Sequence, residues 1–115
     1  MSRPEPVMPA AEAAPIFAAL GDPTRLALLA RLSDGEHRSI SALAAETDLT
    51  RQAVTKHLHV LEKAGLVRCA RTGRETRYAY RPGPLGEAQT YLQQVADHWE
   101  AALGRLKALV ETPAD

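Results

Sequence analysis

Arg51, Gln52, Thr55, Lys56 and His59 stand one, three and four residues apart in one helical segment, so they share a face. Their types suit recognition of a polyanion. Arginine can fork onto a guanine edge, glutamine onto an adenine edge, and lysine or threonine can hold phosphates or bases. Val54, Leu58 and Leu61 fall on the opposite face, giving the helix one side to bury and one to present. Thr50 precedes the run as its N-cap and stands at the same end. Further on, Arg71, Arg74 and Arg77 surround Thr72-Gly73-Arg74, a hairpin signal, and arginines there reach phosphates or a narrow minor groove.

Other reactive side chains have plainer readings. His57 and His59 are two apart on a helix and point away from each other, so one metal cannot take both, and His57 reads as a partly buried packing residue. His98 lies beside Asp97 and Glu100, but three ligands from one helix converge poorly. Cys69 is the only cysteine, which excludes an intrachain disulfide; it shares a strand face with Val67 and is expected to be a small buried residue. No nucleophile–base pair, phosphate-cradling glycine loop or paired-carboxylate site is present. The expectation is a protein that is not an enzyme and uses no metal or cofactor.

The 115 residues carry a formal charge of zero, which conceals an uneven distribution. From Thr50 to Arg81, eight basic residues face only Glu62 and Glu75, a surplus of six, and the remaining chain carries the compensating acid. A basic segment on an acidic scaffold points to nucleic acid ahead of a membrane surface, because no basic amphipathic helix with large apolar residues accompanies it. No apolar run approaches the roughly 20 residues of a membrane span, so no membrane partner is expected. With no export signal and a single cysteine, the expected location is the cytoplasm.

The length fits one domain. Residues 1–9 hold three prolines and read as a flexible tail, and 112–115 as a second tail. A first helix is expected over Ala10 to Leu20. Asp22-Pro23 opens a second through Leu32, with Leu26, Leu29 and Leu32 on one face. A third covers Ile40 to Thr47 with Leu43 and Ala44 inward. A short turn anchored by Leu49 leads to the fourth, Arg51 to Ala64, which Gly65 ends. The period then changes to two. Leu66 to Arg71 and Glu75 to Arg81 read as strands whose Tyr78 and Tyr80 face the core, while Arg77, Ala79 and Arg81 point away. Pro82-Gly83-Pro84 separates them from a last helix, Leu85 to Val110. The fold class is therefore mainly α with a small β-hairpin: a helix-turn-helix followed by a wing.

On the last helix, Leu85, Leu92, Trp99 and Leu106 recur every seven residues, as do Ala88, Val95, Ala102 and Leu109. Such a seam suits packing against a second copy, assisted by Ile16 and Phe17 of the first helix. A two-fold protein sets two recognition helices on successive turns of DNA, about 34–36 Å apart. The expected partners are double-stranded DNA carrying an imperfect palindrome and a second copy of the chain. The alternative is a winged helix used for protein contacts without a DNA role.

The stretch Phe17-Ala-Ala-Leu-Gly-Asp-Pro-Thr-Arg-Leu26, then Val54-Thr-Lys-His-Leu-His-Val-Leu-Glu-Lys-Ala-Gly-Leu-Val67, then Gly73-Arg74 before Tyr78, resembles the ArsR-type winged-helix repressors. The likeness runs from about Ala10 to Glu111. It implies a winged-helix domain over 10–111 with a recognition helix at 51–64, a wing at 66–81 and a dimerisation helix at 85–110, joined as a homodimer through the first and last helices. It also implies repression of an operon, often including the regulator's own gene, with release of DNA when an effector binds. The family's metal sites find no match. The segment that carries thiols reads Ile40-Ser-Ala-Leu-Ala-Ala-Glu46, the last helix offers Asp97, His98 and Glu100 without a second histidine, and Cys69 has no partner for dithiol sensing. Trp99-Glu100 resembles the subgroup without a recognisable ligand set, and the inducer is left open.

Overall fold

The computed structural model describes residues 8–111; apart from Met8 and Pro9, the two expected tails lie outside the described residues. The element order is α1 (Ala10–Leu20), α2 (Pro23–Leu32), β1 (Arg38–Ser39), α3 (Ile40–Ala45), α4 (Arg51–Lys63), β2 (Val67–Thr72), β3 (Glu75–Tyr80) and α5 (Pro82–Glu111). Among the described residues, no helix is long and apolar enough to cross a membrane.

Side-chain caps set three of the helix starts. The Asp22 carboxylate accepts from the Arg25 backbone N–H at 3.0 Å, Ser39 Oγ from Ala42 at 3.1 Å and Thr50 Oγ1 from Ala53 at 3.1 Å. The end of α4 is equally specified. Gly65 takes φ 79°, its N–H reaches the Glu62 carbonyl, and the Leu66 N–H reaches that of Leu61. This double closure requires the left-handed glycine, and the fully buried Leu61 and Leu66 supply the apolar contact that accompanies it.

The helices enclose one core that includes Leu28, Leu32, Leu43, Val54, Leu58, Leu61, Leu66 and Tyr78. Leu43 and Ala44 face inward as expected, and Val54, Leu58 and Leu61 have no exposed surface. On α2 the buried leucines are Leu28, Leu29 and Leu32, whereas Leu26 is 51% exposed, so the expected face is corrected by about a seventh of a turn, Leu28 taking the place of Leu26. The four leucines of that helix spread over a little less than half its circumference, and composition does not choose among them. Leu49 in the turn is exposed and anchors it only weakly.

The strands form a three-stranded antiparallel sheet in the order β1-β3-β2. Arg38 faces Tyr78 and Ser39 faces Arg77 on one side of β3; on the other, pairing runs from Val67↔Tyr80 to Thr72↔Glu75. The two-residue β1 was not anticipated. It makes β3 central; Ala79 as well as Tyr78 is buried, against the expected alternation, while Tyr80 packs partly on the core. Cys69 is exposed, contrary to the buried role expected, because it lies on the edge strand β2, beyond the point where Val67 leaves the core. Only Gly73 and Arg74 connect the strands, with Gly73 at φ 63° in the place glycine holds in a type II′ turn.

Two boundaries also shift. α3 ends at Ala45 because Thr47 Oγ1 donates to the Ala44 carbonyl and accepts from the Leu49 N–H, closing a turn. α5 begins at Pro82, since a first helical turn leaves its N–H groups unbonded and so accommodates Pro82 and Pro84. At 30 residues α5 is about 45 Å long. Only Ala88 on it is buried, and the molecule extends to 76 × 35 × 24 Å.

Candidate nucleic-acid interface

The structure brings the five helix residues together. Arg51, Gln52, Thr55, Lys56 and His59 line one shallow surface depression of about 590 Å³ on α4, opposite the buried stripe. Arg51, Gln52, Lys56 and His59 are exposed, and Thr55 is half-buried. The Thr55 hydroxyl donates to the Arg51 carbonyl at 2.7 Å, so toward a ligand it offers its acceptor lone pairs. Thr50 Oγ1 is engaged in the cap, which leaves its hydroxyl proton free to donate. The N-terminal half of α4 therefore presents two cations, a two-way amide and the positive end of the helix dipole on one wall.

The wing arginines are not gathered in the same way. Cross-strand pairing places Arg71, with Thr76, on the Tyr78 face of the hairpin, and Arg77, opposite Ala70, on the other face together with Arg68. Arg74 occupies the turn. The Arg77 guanidinium donates to one Glu75 carboxylate oxygen from Nε at 3.0 Å and from Nη2 at 2.9 Å, so its charge is partly satisfied within the wing. Among the described residues, Arg71 and Arg74 have no ion-pair partner and are exposed. Arg68, which sequence reasoning did not single out, joins Arg77 on its face; strand alternation was its only signal.

A polar junction beneath α4 was also missed. Arg25 donates from Nε to the Ala19 carbonyl at 2.6 Å, from Nη2 to the Ala18 carbonyl at 3.3 Å and from Nη1 to His57 Nδ1 at 3.2 Å. One guanidinium thus ties the C-terminus of α1 to the middle of α4. The Arg25 guanidinium has no lone pair to accept with, so His57 Nδ1 is the acceptor and its other nitrogen carries the hydrogen. His57 is half-buried in this junction, in keeping with a packing role. Asp22 Oδ2 lies 3.8 Å from the same Nδ1. The Arg25 backbone N–H, and after it the Arg25 charge, holds the Asp22 carboxyl below the usual carboxylate range against the opposing effect of desolvation. Deeper in the sheet, burial and then the neighbouring Cys69 push the Tyr78 phenol up to about 12.

Along the expected self-association face, Leu92 is 53% exposed, Val95 38%, Trp99 65% and Leu106 56%. Leu85 is half-buried, and Phe17 packs against Tyr91 with ring centroids 6.0 Å apart. Ile16 is only 4% exposed and belongs to the protomer's own core, so it has almost no surface to offer a partner. No three His, Cys, Asp or Glu side chains among the described residues are grouped closely enough to hold a metal.

Residues 20–70 match the model of a helix-turn-helix domain. The chain is 40% identical to the HTH-type transcriptional regulator YuzN of Bacillus subtilis, an alignment covering 61% of this chain and 83% of the relative. A solved ArsR-like transcriptional regulator from Rhodococcus sp. RHA1 superposes with a TM-score of 0.78 at 36% identity, over 90% of this chain and 96% of that one. A homodimeric winged helix-turn-helix DNA-binding domain from Mycobacterium bovis, described as a possible ArsR-family regulator, superposes with a TM-score of 0.62 at 28% identity, over 76% and 80% of the two chains.

Proposed function

The chain belongs to the ArsR-type winged helix-turn-helix regulators, DNA-binding transcription factors rather than enzymes, and we propose that it acts as a homodimeric repressor bound to an imperfect inverted repeat. The observation that carries this reading is the polar, cationic wall of α4 standing opposite a stripe with no exposed surface. A helix so divided is fixed in its own domain on one side and free to enter a major groove on the other. In this assignment Arg51, Gln52, Thr55 and Lys56 meet the major groove. His59 and Thr50 border it, and Arg71, Arg74 and Arg77 of the wing hold backbone or minor groove. Because Arg71 and Arg77 lie on opposite faces of the hairpin, they engage different phosphate tracks, and Arg77 must leave Glu75 to do so.

The domain is assigned to residues 10–111, with α5 as the dimerisation helix and Phe17, Leu85, Leu92, Val95, Trp99 and Leu106 as its contacts. The apolar exposure of α5 and the homodimer described for the M. bovis domain support this assignment. Repression follows from occlusion of a promoter in the cytoplasm, where the DNA lies, often the promoter of the regulator's own gene. An inducer acts by changing the distance or angle between the two α4 helices. The test is selection of bound duplexes from a random library. Enrichment of an inverted repeat bound by two protomers, with affinity falling steeply as salt rises, is the expected result. Equal, weak binding to every duplex overturns the reading and brings a protein-contact role forward.

A further inference from the structure

The face of α5 carrying Leu92, Val95, Trp99, Leu106 and Leu109 is uncovered, and Trp99 is the bulkiest side chain on it. Nearer the N-terminus of the same helix lies an apolar cavity of about 240 Å³, lined by Phe17 and Leu20 of α1 and Leu85, Ala88, Gln89 and Leu92 of α5. Ala88, the smallest of these side chains, is 1% exposed, so it offers a partner no surface of its own and contributes only the floor of the cavity.

We propose that the occupant of this cavity is the Trp99 indole of a second copy, delivered by an antiparallel pairing of the two α5 helices. The proposal rests on the homodimer reading above and deepens it by fixing a register. In a two-fold antiparallel pair the residue numbers of facing positions have a constant sum, because each contact is made twice with the roles exchanged. Setting Trp99 opposite Ala88 sets Leu85 opposite Ala102 and Leu92 opposite Val95. Every seam residue from 85 to 102 then falls on another seam residue, and in the two outer layers bulk meets a methyl group. On the flank, Tyr91 comes beside the partner's His98, a hydroxyl against an imidazole.

Two other arrangements use the same seam less well. A parallel pair sets each residue on its own copy, so cavity faces cavity and Trp99 faces Trp99, leaving the void unfilled and two indoles competing for one place. An antiparallel register displaced by one heptad sets Trp99 on Val95, offers the cavity only Leu106 and brings His98 against His98. Shape and polarity both favour the first register, since a cavity that two copies can fill reciprocally is closed by the largest exposed side chain available.

The test uses the full chain with Cys69→Ser as background. Leu92→Cys is mixed with Val95→Cys in one tube and with Ala102→Cys in another, and each is oxidised mildly while ultracentrifugation reports the assembly state. A disulfide needs Cα atoms about 4.4–6.8 Å apart, and the two antiparallel registers differ by a heptad, about 10 Å along the helix. The proposed register predicts a Leu92→Cys to Val95→Cys heterodisulfide and none to Ala102→Cys. Trp99 is the only tryptophan, so its emission reads its own burial and is predicted to shift to the blue as concentration drives dimer formation. A dimer that links Leu92→Cys to Ala102→Cys, links Leu92→Cys only to itself, or keeps Trp99 in water overturns the register while leaving the homodimer standing. A chain that stays monomeric at all concentrations overturns the homodimer and the register together.

Discussion

At the scale of single residues, sequence reading depends on what each side chain of the α4 wall offers. Gln52 is exposed at the N-terminal end of that wall, and its amide can donate and accept at once, so it suits an adenine edge. Gln52→Ala is expected to cost about 1–3 kcal/mol at one base pair and to relax preference there, measured by titrating the selected duplex against single-base variants. Uniform weakening across sequences would remove Gln52 from base reading. Lys56 carries a point charge suited to phosphate, and Lys56→Ala is expected to lower the slope of log affinity against log salt by about one. These five residues were legible because helical periodicity places side chains without reference to anything distant. The wing arginines were legible only in part: alternation placed Arg77 on the face away from Tyr78, but what each guanidinium meets depends on neighbours that only the folded hairpin supplies. The pairing of Arg77 with Glu75 depends on a contact that their spacing alone does not dictate. Arg25 escaped notice for the same reason: its partners on α1 and α4 are brought to it only by packing.

At the scale of elements, boundaries follow from caps and glycines with positive φ. Gly65 closes α4 at φ 79°, and a Cβ built there would stand 3.2 Å from the Pro84 side chain, whereas Gly35, at φ 83°, has open space around it. Gly65→Ala is therefore expected to destabilise by about 1–2 kcal/mol from backbone conformation, with a further increment from Pro84 that Gly35→Ala does not show. Urea unfolding of the two variants compares them, and equal losses would mean that Pro84 yields freely. Tyr78 gives the sheet a pH signature. Burial favours its neutral form, so its contribution to stability is fully present below its ordinary value of 10.0 and is lost as pH rises through about 12. Unfolding measured between pH 9 and pH 12 (about the range of these two values) should show that loss, and Tyr78→Phe should lack it. Helices with clear caps could be read from sequence almost to the residue. The two-residue β1 could not, because it exists only by virtue of pairing with Tyr78 and Arg77, and the burial of Ala79 and exposure of Cys69 likewise depend on packing that alternation alone does not encode.

At the scale of the whole molecule, α5 is 30 residues long with one buried residue, and in the proposed dimer a second copy supplies most of its packing. The heptad seam was visible in the sequence; which of its neighbours on α1 face outward was not, and Ile16 proved to be internal. In the proposed dimer, self-association and DNA binding are linked, since two α4 helices engage two half-sites only when α5 joins them. Trp99→Ala is accordingly expected to weaken the dimer by about 2 kcal/mol or more, in the range of a large aromatic at an interface centre, and to weaken operator binding with it. Sedimentation at several concentrations checks the first effect and duplex titration the second. Full operator affinity retained by a monomeric variant would break the link between the two. In the proposed complex two copies of α4 read major-groove edges on one side of the duplex, and guanine-methylation interference on the selected operator is the measurement that decides it. The account predicts two clusters of interference in the major groove, separated by about one helical turn of 10–10.5 base pairs or a multiple of it, with the cluster facing Arg51 and Gln52 altered when either is replaced by alanine. A single cluster, or interference that ignores those replacements, would contradict it.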